Sequence, residues 1–291
     1  MIRIRDWWDD GQFIEIEGHR IFTQVKGAGP PLVFLHGFPT SSHDWAEVIV
    51  DLARDFRCVT FDYLGYGASD KPPDSDYSSI VQTDRAVKIL QSLDVTKATV
   101  IGHDLGGILL QQLLHRAVHG RTDLEIEQAI FSNSSVYPKL YRPTPTQSAL
   151  VDPARGKLLA RQITETTLGA LLPAMFPTHP PTSERIDDWW AAISRNDGQH
   201  LWPDQLVYME ERAELGESWL DAMRRTTTPL GFIYGAADTI SGEQIIAQAE
   251  TDLSGACCIR LAGLGHYPQI ESSQDYSAAL RTMLRKTAPV S

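Results

Sequence analysis

Apolar positions along the chain follow two rhythms. The first is a set of short, nearly unbroken apolar runs that close on a glycine or a polar turn residue: PLVFLHG (31–37), RCVTFD (57–62), ATVIGH (98–103), EQAIFS (127–132), PLGFIYG (229–235) and CCIRLAG (257–263). Runs of this kind suit strands covered on both faces, as in a parallel sheet. Ahead of them, FIEIEGHRIFTQV (13–25) alternates apolar and polar positions around Glu17-Gly18-His19 and predicts a hairpin. The second rhythm is helical. WAEVIVDLAR (45–54) sets Trp45, Val48, Ile49 and Leu52 on one face, and IVQTDRAVKILQSL (80–93) brings Val81, Ala86, Ile89, Leu90 and Leu93 together. GILLQQLLHRAV (107–118) follows the ATVIGH run directly. Strand and helix in alternation predict an α/β protein: a mostly parallel sheet, eight strands with the hairpin counted, wound with helices on both faces.

The alternation breaks once. From about 135 to 225 there is no good strand candidate. Prolines cluster there (Pro143, Pro145, Pro153, Pro173, Pro177, Pro180, Pro181), as do Trp189, Trp190, Trp202 and Trp219. The expectation is a helical cap at 135–225, inserted after the sixth strand into a core formed by 1–134 and 226–291. No internal repeat or low-complexity segment interrupts either part.

Composition narrows the function classes. Across 291 residues, Lys and Arg number 26 against 37 Asp and Glu, a formal net charge of −11. That balance argues against a nucleic-acid binder and against docking on anionic membranes. Hydrophobic residues at 42% supply a large core. The cysteines, Cys58, Cys257 and Cys258, are odd in number and lack Cys-x-x-Cys spacing, so neither a disulfide framework nor a cysteine zinc site is expected. MIRIRDWWDD does not read as a secretory leader, and no apolar run reaches membrane-spanning length. A cytoplasmic protein is therefore expected, with a homodimer left open.

The candidate chemistry sits where strands end. Gly102-His103-Asp104-Leu105-Gly106 joins the strand ATVI to the helix GILLQQLL. Small residues at both ends allow a tight turn that lifts the central side chain above the sheet, at a helix N-terminus. Asp238, in Gly235-Ala236-Ala237-Asp238, and His266, in Gly265-His266-Tyr267-Pro268, each follow a later strand. Ligands bind at such C-terminal strand ends in open parallel sheets. The chain order is nucleophile, acid, histidine. His36-Gly37-Phe38-Pro39 follows PLVFL, where the Phe38 N–H, beside the N–H of Leu105, could face an oxyanion. The plain alternatives are a helix cap for Asp104, a turn residue for Asp238 and a surface-loop histidine for His266. Their common register with the strand ends favours one site.

An aspartate at this position has a chemical consequence. A carboxylate attacking an acyl carbon gives an anhydride, which gains little. Attack on a saturated carbon bearing a leaving group gives a stable alkyl ester. Asp104 therefore points to displacement at an sp³ carbon, with water activated by His266 then cleaving the ester. Asp238 would orient and charge-stabilise the imidazole, and no metal or organic cofactor is required.

These motifs (HGFP, DYLGYGASDKP at 62–72, GHDLGG, YGAAD and GHYPQ) resemble the α/β-hydrolases of the epoxide hydrolase and haloalkane dehalogenase branch over nearly the whole chain. HGFPTSSHDW (36–45), SRNDG (194–198) and GHYPQIE (265–271) are similar to the mesoderm-specific transcript-like group within it. The resemblance implies an α/β-hydrolase fold with a helical cap, a small hydrophobic organic substrate, and epoxide hydrolysis as the first activity. Haloalkane dehalogenation, ester or lactone cleavage, and a non-catalytic ligand-binding role are the alternatives. Dehalogenases of this branch offer a Trp after the nucleophile, often with an Asn in the HG-x-P loop or another Trp in the cap. Here Leu105 and Phe38 occupy those core positions, and neither side chain donates. Epoxide hydrolases place cap tyrosines over the epoxide oxygen. Tyr208, in PDQLVYMEER (203–212), fits one such position, its alternative being an aromatic packed within the cap. The other tyrosine has no clear counterpart. His36, Tyr141 and Trp189 are candidate substrate-binding residues, with cap-to-core packing the alternative for Trp189.

Overall fold

The structure, a computed structural model, describes residues 1–287; the last four positions of the expected 226–291 segment lie outside the described residues. The chain opens with α1 (Ile4–Asp9) and the hairpin β1 (Gln12–Ile16) and β2 (His19–Lys26). It continues through β3 (Pro31–Leu35), α2 (Ala46–Leu52), β4 (Arg57–Phe61), α3 (Ser79–Ser92), β5 (Lys97–His103), α4 (Leu105–Val118) and β6 (Glu125–Ser132). The helices α5 (Pro145–Leu150), α6 (Gly156–Ala160), α7 (Glu165–Leu171), α8 (Ser183–Ser194), α9 (Trp202–Gln205) and α10 (Tyr208–Arg225) come next. β7 (Leu230–Gly235), α11 (Glu243–Asp252), β8 (Cys257–Leu261), α12 (Pro268–Glu271) and α13 (Ser273–Thr287) complete the fold.

Every apolar run named above contains a strand. They form one eight-stranded sheet in the order β1-β2-β4-β3-β5-β6-β7-β8. The β1–β2 and β2–β4 pairings are antiparallel, and the pairings from β4 through β8 are parallel. Successive side chains of a strand face opposite ways, and here both faces are covered. Val33, Leu35, Val59, Phe61, Val100, Phe131 and Phe232 enter one apolar layer with α3, α4, α10 and α11. Leu32, Phe34, Cys58, Ile101, Ile130 and Ile233 enter the other with α1, α2 and α13. That double burial explains why the runs read as unbroken rather than alternating.

Chain direction across the sheet reverses at β3, because β4 lies on one side of it and β5 on the other. Loops after strands flanking such a reversal diverge and leave a crevice. The β3 and β5 loops stand side by side there, with Leu35 in register with Gly102.

The segment between β6 and β7 is helical, as its lack of strand patterns predicted. Prolines break it into short pieces, and threonines restart them. Thr144, Thr164 and Thr182 each accept a hydrogen bond from a first-turn N–H of the following helix. α10 lies along α4 and buries Trp219, Leu220 and Met223. α8 is tied to the first part of the chain. Arg185 Nη2 donates to Glu47 Oε1 at 2.8 Å, Arg3 grips Asp188 with two nitrogens, and Trp189 Nε1 donates to buried Asp44 at 2.8 Å. Among the described residues, no helix is long and apolar enough to cross a membrane.

Candidate active site

The turn between β5 and α4 is tight because no side chain would fit at its ends. A Cβ on Gly102 would lie 2.4 Å from the Gly106 carbonyl oxygen, and one on Gly106 2.3 Å from that of Leu35. Between them Asp104 is held at φ 49°, a conformation disfavoured for any residue with a Cβ. Such strain persists where the surroundings fix it, commonly at functional sites. Here Asp104 N donates to Ser132 O, and Ser134 Oγ donates to Asp104 O at 2.8 Å. The side chain is therefore aimed above the sheet rather than folded back as a cap: it makes no capping bond to α4.

Its two carboxylate oxygens have separate surroundings. Oδ1 accepts from the Phe38 N–H at 3.0 Å, and Oδ2 lies 3.6 Å from His266 Nε2. The Leu105 N–H, first in α4, has no intrahelical acceptor by helix geometry and belongs to the same corner. On the far side of the imidazole, His266 Nδ1 is 2.8 Å from Asp238 Oδ2. Asp238 is buried and fully engaged. Its Oδ2 also receives Asn133 Nδ2 at 2.9 Å and Ser241 Oγ at 3.1 Å, while Oδ1 receives the Ile240 N–H at 2.8 Å. The His266 backbone is pinned as well, its carbonyl lying 2.8 Å from His103 Nε2.

Three charges in a dry corner shift one another. Burial disfavours the imidazolium, but the charges of Asp238 and Asp104 and the hydrogen bond to Asp238 outweigh it and raise His266 to about 10. Burial likewise works against the Asp104 carboxylate, and the nearby His266 charge, 3.6 Å away, together with the Phe38 N–H overcomes it, lowering Asp104 to about 2. The resting arrangement is carboxylate, imidazolium, carboxylate. Removing the charge of Asp104 would take away part of what holds the proton on His266.

A cavity of about 360 Å³ opens above this corner. Asp104, His266 and Phe38 form its floor, and Leu168, Leu171, Leu172, Met175, Trp202 and Ile240 much of its wall. Its polar rim comes from Thr144, Thr146, Gln147 and Thr239. Among the described residues, no three His, Cys, Asp or Glu side chains converge as a metal ion would need.

Asp104, Asp238, His266, Phe38 and the Leu105 backbone, all expected from the sequence, come together here. Tyr208 is buried and does not line the cavity; its ring lies 6.4 Å from that of Phe38, which does, and its hydroxyl has no hydrogen-bond partner among the described residues. Tyr141 stands one residue behind the wall: its hydroxyl donates to Gln147, which lines the cavity. Two expectations need correction. His36 is not in the cavity wall but beneath the loop. Its ring stacks on Tyr63 at 4.0 Å, Nδ1 faces Gly37 O, and Nε2 accepts the Tyr63 N–H, so both nitrogens are occupied in shaping the loop. Burial lowers it to about 3, which keeps it neutral. Trp189 is also absent from the wall. It is fully buried against Phe176 and Tyr267, and its N–H holds Asp44, whose carboxyl burial raises to about 7. It joins α8 to the residues after β3. Asn133, Ser134, Ser241 and His103 support the site without having been singled out. The run FSNSS at the end of a buried strand was the available signal for the first two.

The chain belongs to the α/β-hydrolase family, whose model, described as alpha/beta hydrolase fold, matches residues 30–273. Within it, the chain is 30% identical over 284 residues to LipZ of Mycobacterium tuberculosis, covering 97% of this chain and 98% of that protein. It is 32% identical over 288 residues to the mesoderm-specific transcript protein of Mus musculus, covering 94% and 85%. Among solved structures it is similar to the epoxide hydrolase CorEH (TM-score 0.76, 22% identity, 95% and 98% covered). It is similar also to a loop variant of the haloalkane dehalogenase DbeA from Bradyrhizobium elkanii (TM-score 0.76, 19% identity, 95% and 96% covered). At those identities the structural likenesses establish the fold.

Proposed function

We propose that the protein hydrolyses epoxides to vicinal diols through an ester on Asp104. The observation that carries this reading is the split environment of the Asp104 carboxylate: Oδ1 is held by the Phe38 N–H while Oδ2 faces His266 and the cavity. In the first step Oδ2 bonds to an epoxide carbon, the carbon–oxygen bond breaks, and its electron pair goes to the epoxide oxygen. Tyr208 gives that oxygen its hydroxyl proton. Asp104 thereby becomes a neutral ester, and His266, having lost one of its two carboxylate neighbours, releases its proton and restores Tyr208. In the second step neutral His266 takes a proton from water, whose oxygen adds to the ester carbon. Phe38 N–H and Leu105 N–H receive the oxyanion that forms on Oδ1. Collapse expels the diol oxygen, which takes the proton from His266. The resulting Asp104 acid returns a proton to His266. Atoms and charge balance as epoxide plus water gives diol. The helical segment over the strand ends acts as a cap, and its leucine-rich wall favours a small apolar substrate.

Haloalkane dehalogenation is the second reading. Trp202 lines the cavity, and its indole N–H has no acceptor among the described residues, which suits a departing halide. One experiment separates the two. His266→Gln, incubated with epoxide and haloalkane panels, should trap the ester for intact-mass measurement. An epoxide adds its whole mass, whereas a haloalkane adds its mass less that of the hydrogen halide. Adducts from haloalkanes alone would replace the first reading by the second, and no adduct from either panel would overturn alkyl transfer itself.

A further inference from the structure

Arg212 has no role in the account above, and its setting is unusual. It lies one helical turn after Tyr208 on α10, is 4% exposed, and has no carboxylate partner among the described residues. Its Nη2 has no hydrogen-bond acceptor among the described residues. Its guanidinium carbon stacks 3.4 Å over the Tyr141 ring and lies 5.7 Å from the Tyr208 ring centre. A buried guanidinium without a counterion costs several kcal/mol unless some charge in the site answers it. Tyr208, its neighbour, is 1% exposed and its hydroxyl is unpartnered too. The Asp104 carboxylate is the acid whose charge acts on both tyrosines. Two unsatisfied donors thus share one face of α10 on the nucleophile's side of the insert.

The chemistry shows what they await. As Oδ2 bonds to carbon, negative charge leaves Asp104 and appears on the departing oxygen, on the insert side of the cavity. We propose that Arg212 is the fixed cation for that displaced charge, acting through Tyr208 as a positioning residue and doing the work of a second hydroxyl donor. When Tyr208 passes its proton to the epoxide oxygen, the tyrosinate left behind faces Arg212. The same cation favours the hydroxyl's release of its proton, because it opposes the effect of burial on the phenol. This inference rests on the epoxide reading and fixes which side chains answer the leaving oxygen.

Its test separates the two steps. On the His266→Gln background, with styrene oxide or 1,2-epoxyhexane, rapid-quench intact mass gives the rate of ester formation. Arg212→Met should slow that step about a hundredfold, the scale of a general acid's contribution. Arg212→Lys should recover much of it. With His266 intact, ester hydrolysis in Arg212→Met should stay within a few-fold of the parent, which a general loss of structure would not allow. Tyr208→Phe combined with Arg212→Met should lose little more than the worse single variant. Unchanged alkylation in Arg212→Met, equal slowing of both steps, no recovery in Arg212→Lys, or fully multiplicative losses in the pair would each overturn the inference. Should Arg212→Met fail to fold, Arg212→Lys and Arg212→Gln carry the same comparison. If the His266→Gln parent forms no epoxide ester, the functional reading fails first, and the role of Arg212 falls with it.

Discussion

Asp238→Asn is the most informative single change, because the geometry leaves the amide no good orientation. Oδ2 receives His266 Nδ1, Asn133 Nδ2 and Ser241 Oγ, and Oδ1 receives the Ile240 N–H. An amide offers one acceptor oxygen and one donor nitrogen. With its oxygen at the Oδ2 position, its NH₂ meets the Ile240 N–H, and His266 loses its charged partner. With the NH₂ there instead, it meets the Asn133 NH₂ and forces the imidazole proton onto Nε2, so the ring cannot accept a proton from water. Asn133 cannot turn to help, since it already bonds the Gly235 N–H at 2.8 Å and the Gly235 carbonyl at 3.1 Å. Breaking a buried charged pair costs about 3–5 kcal/mol. If that falls on the transition state for ester hydrolysis, the step slows by about 10²- to 10⁴-fold. Attack by Asp104 needs no base, so ester formation should change far less. Rapid-quench intact mass with a turned-over epoxide should therefore show the wild-type protein mostly free and the variant mostly esterified. A variant that loses turnover without accumulating ester would refute the assignment of His266 and Asp238 to the second step.

Further outcomes follow from the same geometry. Gly106→Ala should fail to fold or lose several kcal/mol, because the new Cβ would lie 2.3 Å from the Leu35 carbonyl oxygen; urea titration of the purified protein checks it. Trp189→Phe should destabilise by about 1–3 kcal/mol, since it leaves the buried Asp44 oxygen without its 2.8 Å donor. Its kcat per folded molecule should hold near the parent value, because Trp189 is not in the cavity wall. His266 is raised from 6.5 to about 10 on folding, so the stability it contributes is complete below pH 6.5 and is lost as pH rises through about 10. The unfolding free energy from urea titration should fall across that window with a slope of at most roughly 1.4 kcal/mol per pH unit, and His266→Gln should flatten it. A wild-type slope equal to that of the variant would show that the carboxylates do not hold this proton.

Legibility in the sequence depended on how many constraints each residue meets. The strands were readable because the sheet is covered twice, which forces long apolar runs such as 31–35 and 98–101. Asp104, Asp238 and His266 were readable because each sits at the end of such a run. α1 and α13 were passed over, although Tyr276, Leu280 and Met283 recur at helical spacing and pack on the second layer. Among the described residues no strand follows α13 to mark it as part of a repeating unit, and α1 is too short to show a period. His36 and Trp189 misled for a shared reason. A polar aromatic next to a site motif looks the same in sequence whether its ring nitrogens meet a ligand or the protein's own backbone and carboxylates. Only the partners Gly37, Tyr63 and Asp44 decide it. Arg212 was invisible for the opposite reason. On a helix as charged as YMEERAELGESWLDAMRR, one arginine reads as a solvated side chain until its burial is known.

The division of labour follows from where these groups reside. Charge is fixed by the sheet: Asp104, Asp238 and His266 follow the ends of β5, β7 and β8, and Asn133, Ser241 and backbone N–H groups hold the two carboxylates. Nothing in that set distinguishes an epoxide oxygen from a halide, because both leave from the opposite side of the reacting carbon. On the proposed reading that side belongs to the insert, where Trp202 lines the cavity and Tyr208 and Arg212 lie behind its wall. The Tyr208 hydroxyl and the Arg212 Nη2 have no hydrogen-bond partner among the described residues at 1% and 4% exposure, though the guanidinium stacks on Tyr141. A hydroxyl backed by a cation suits an oxygen that must end protonated, whereas a halide leaves as the free anion and has no use for the proton. On the proposed reading, the choice of leaving group is written in residues 202–212 rather than in the motifs that mark the fold.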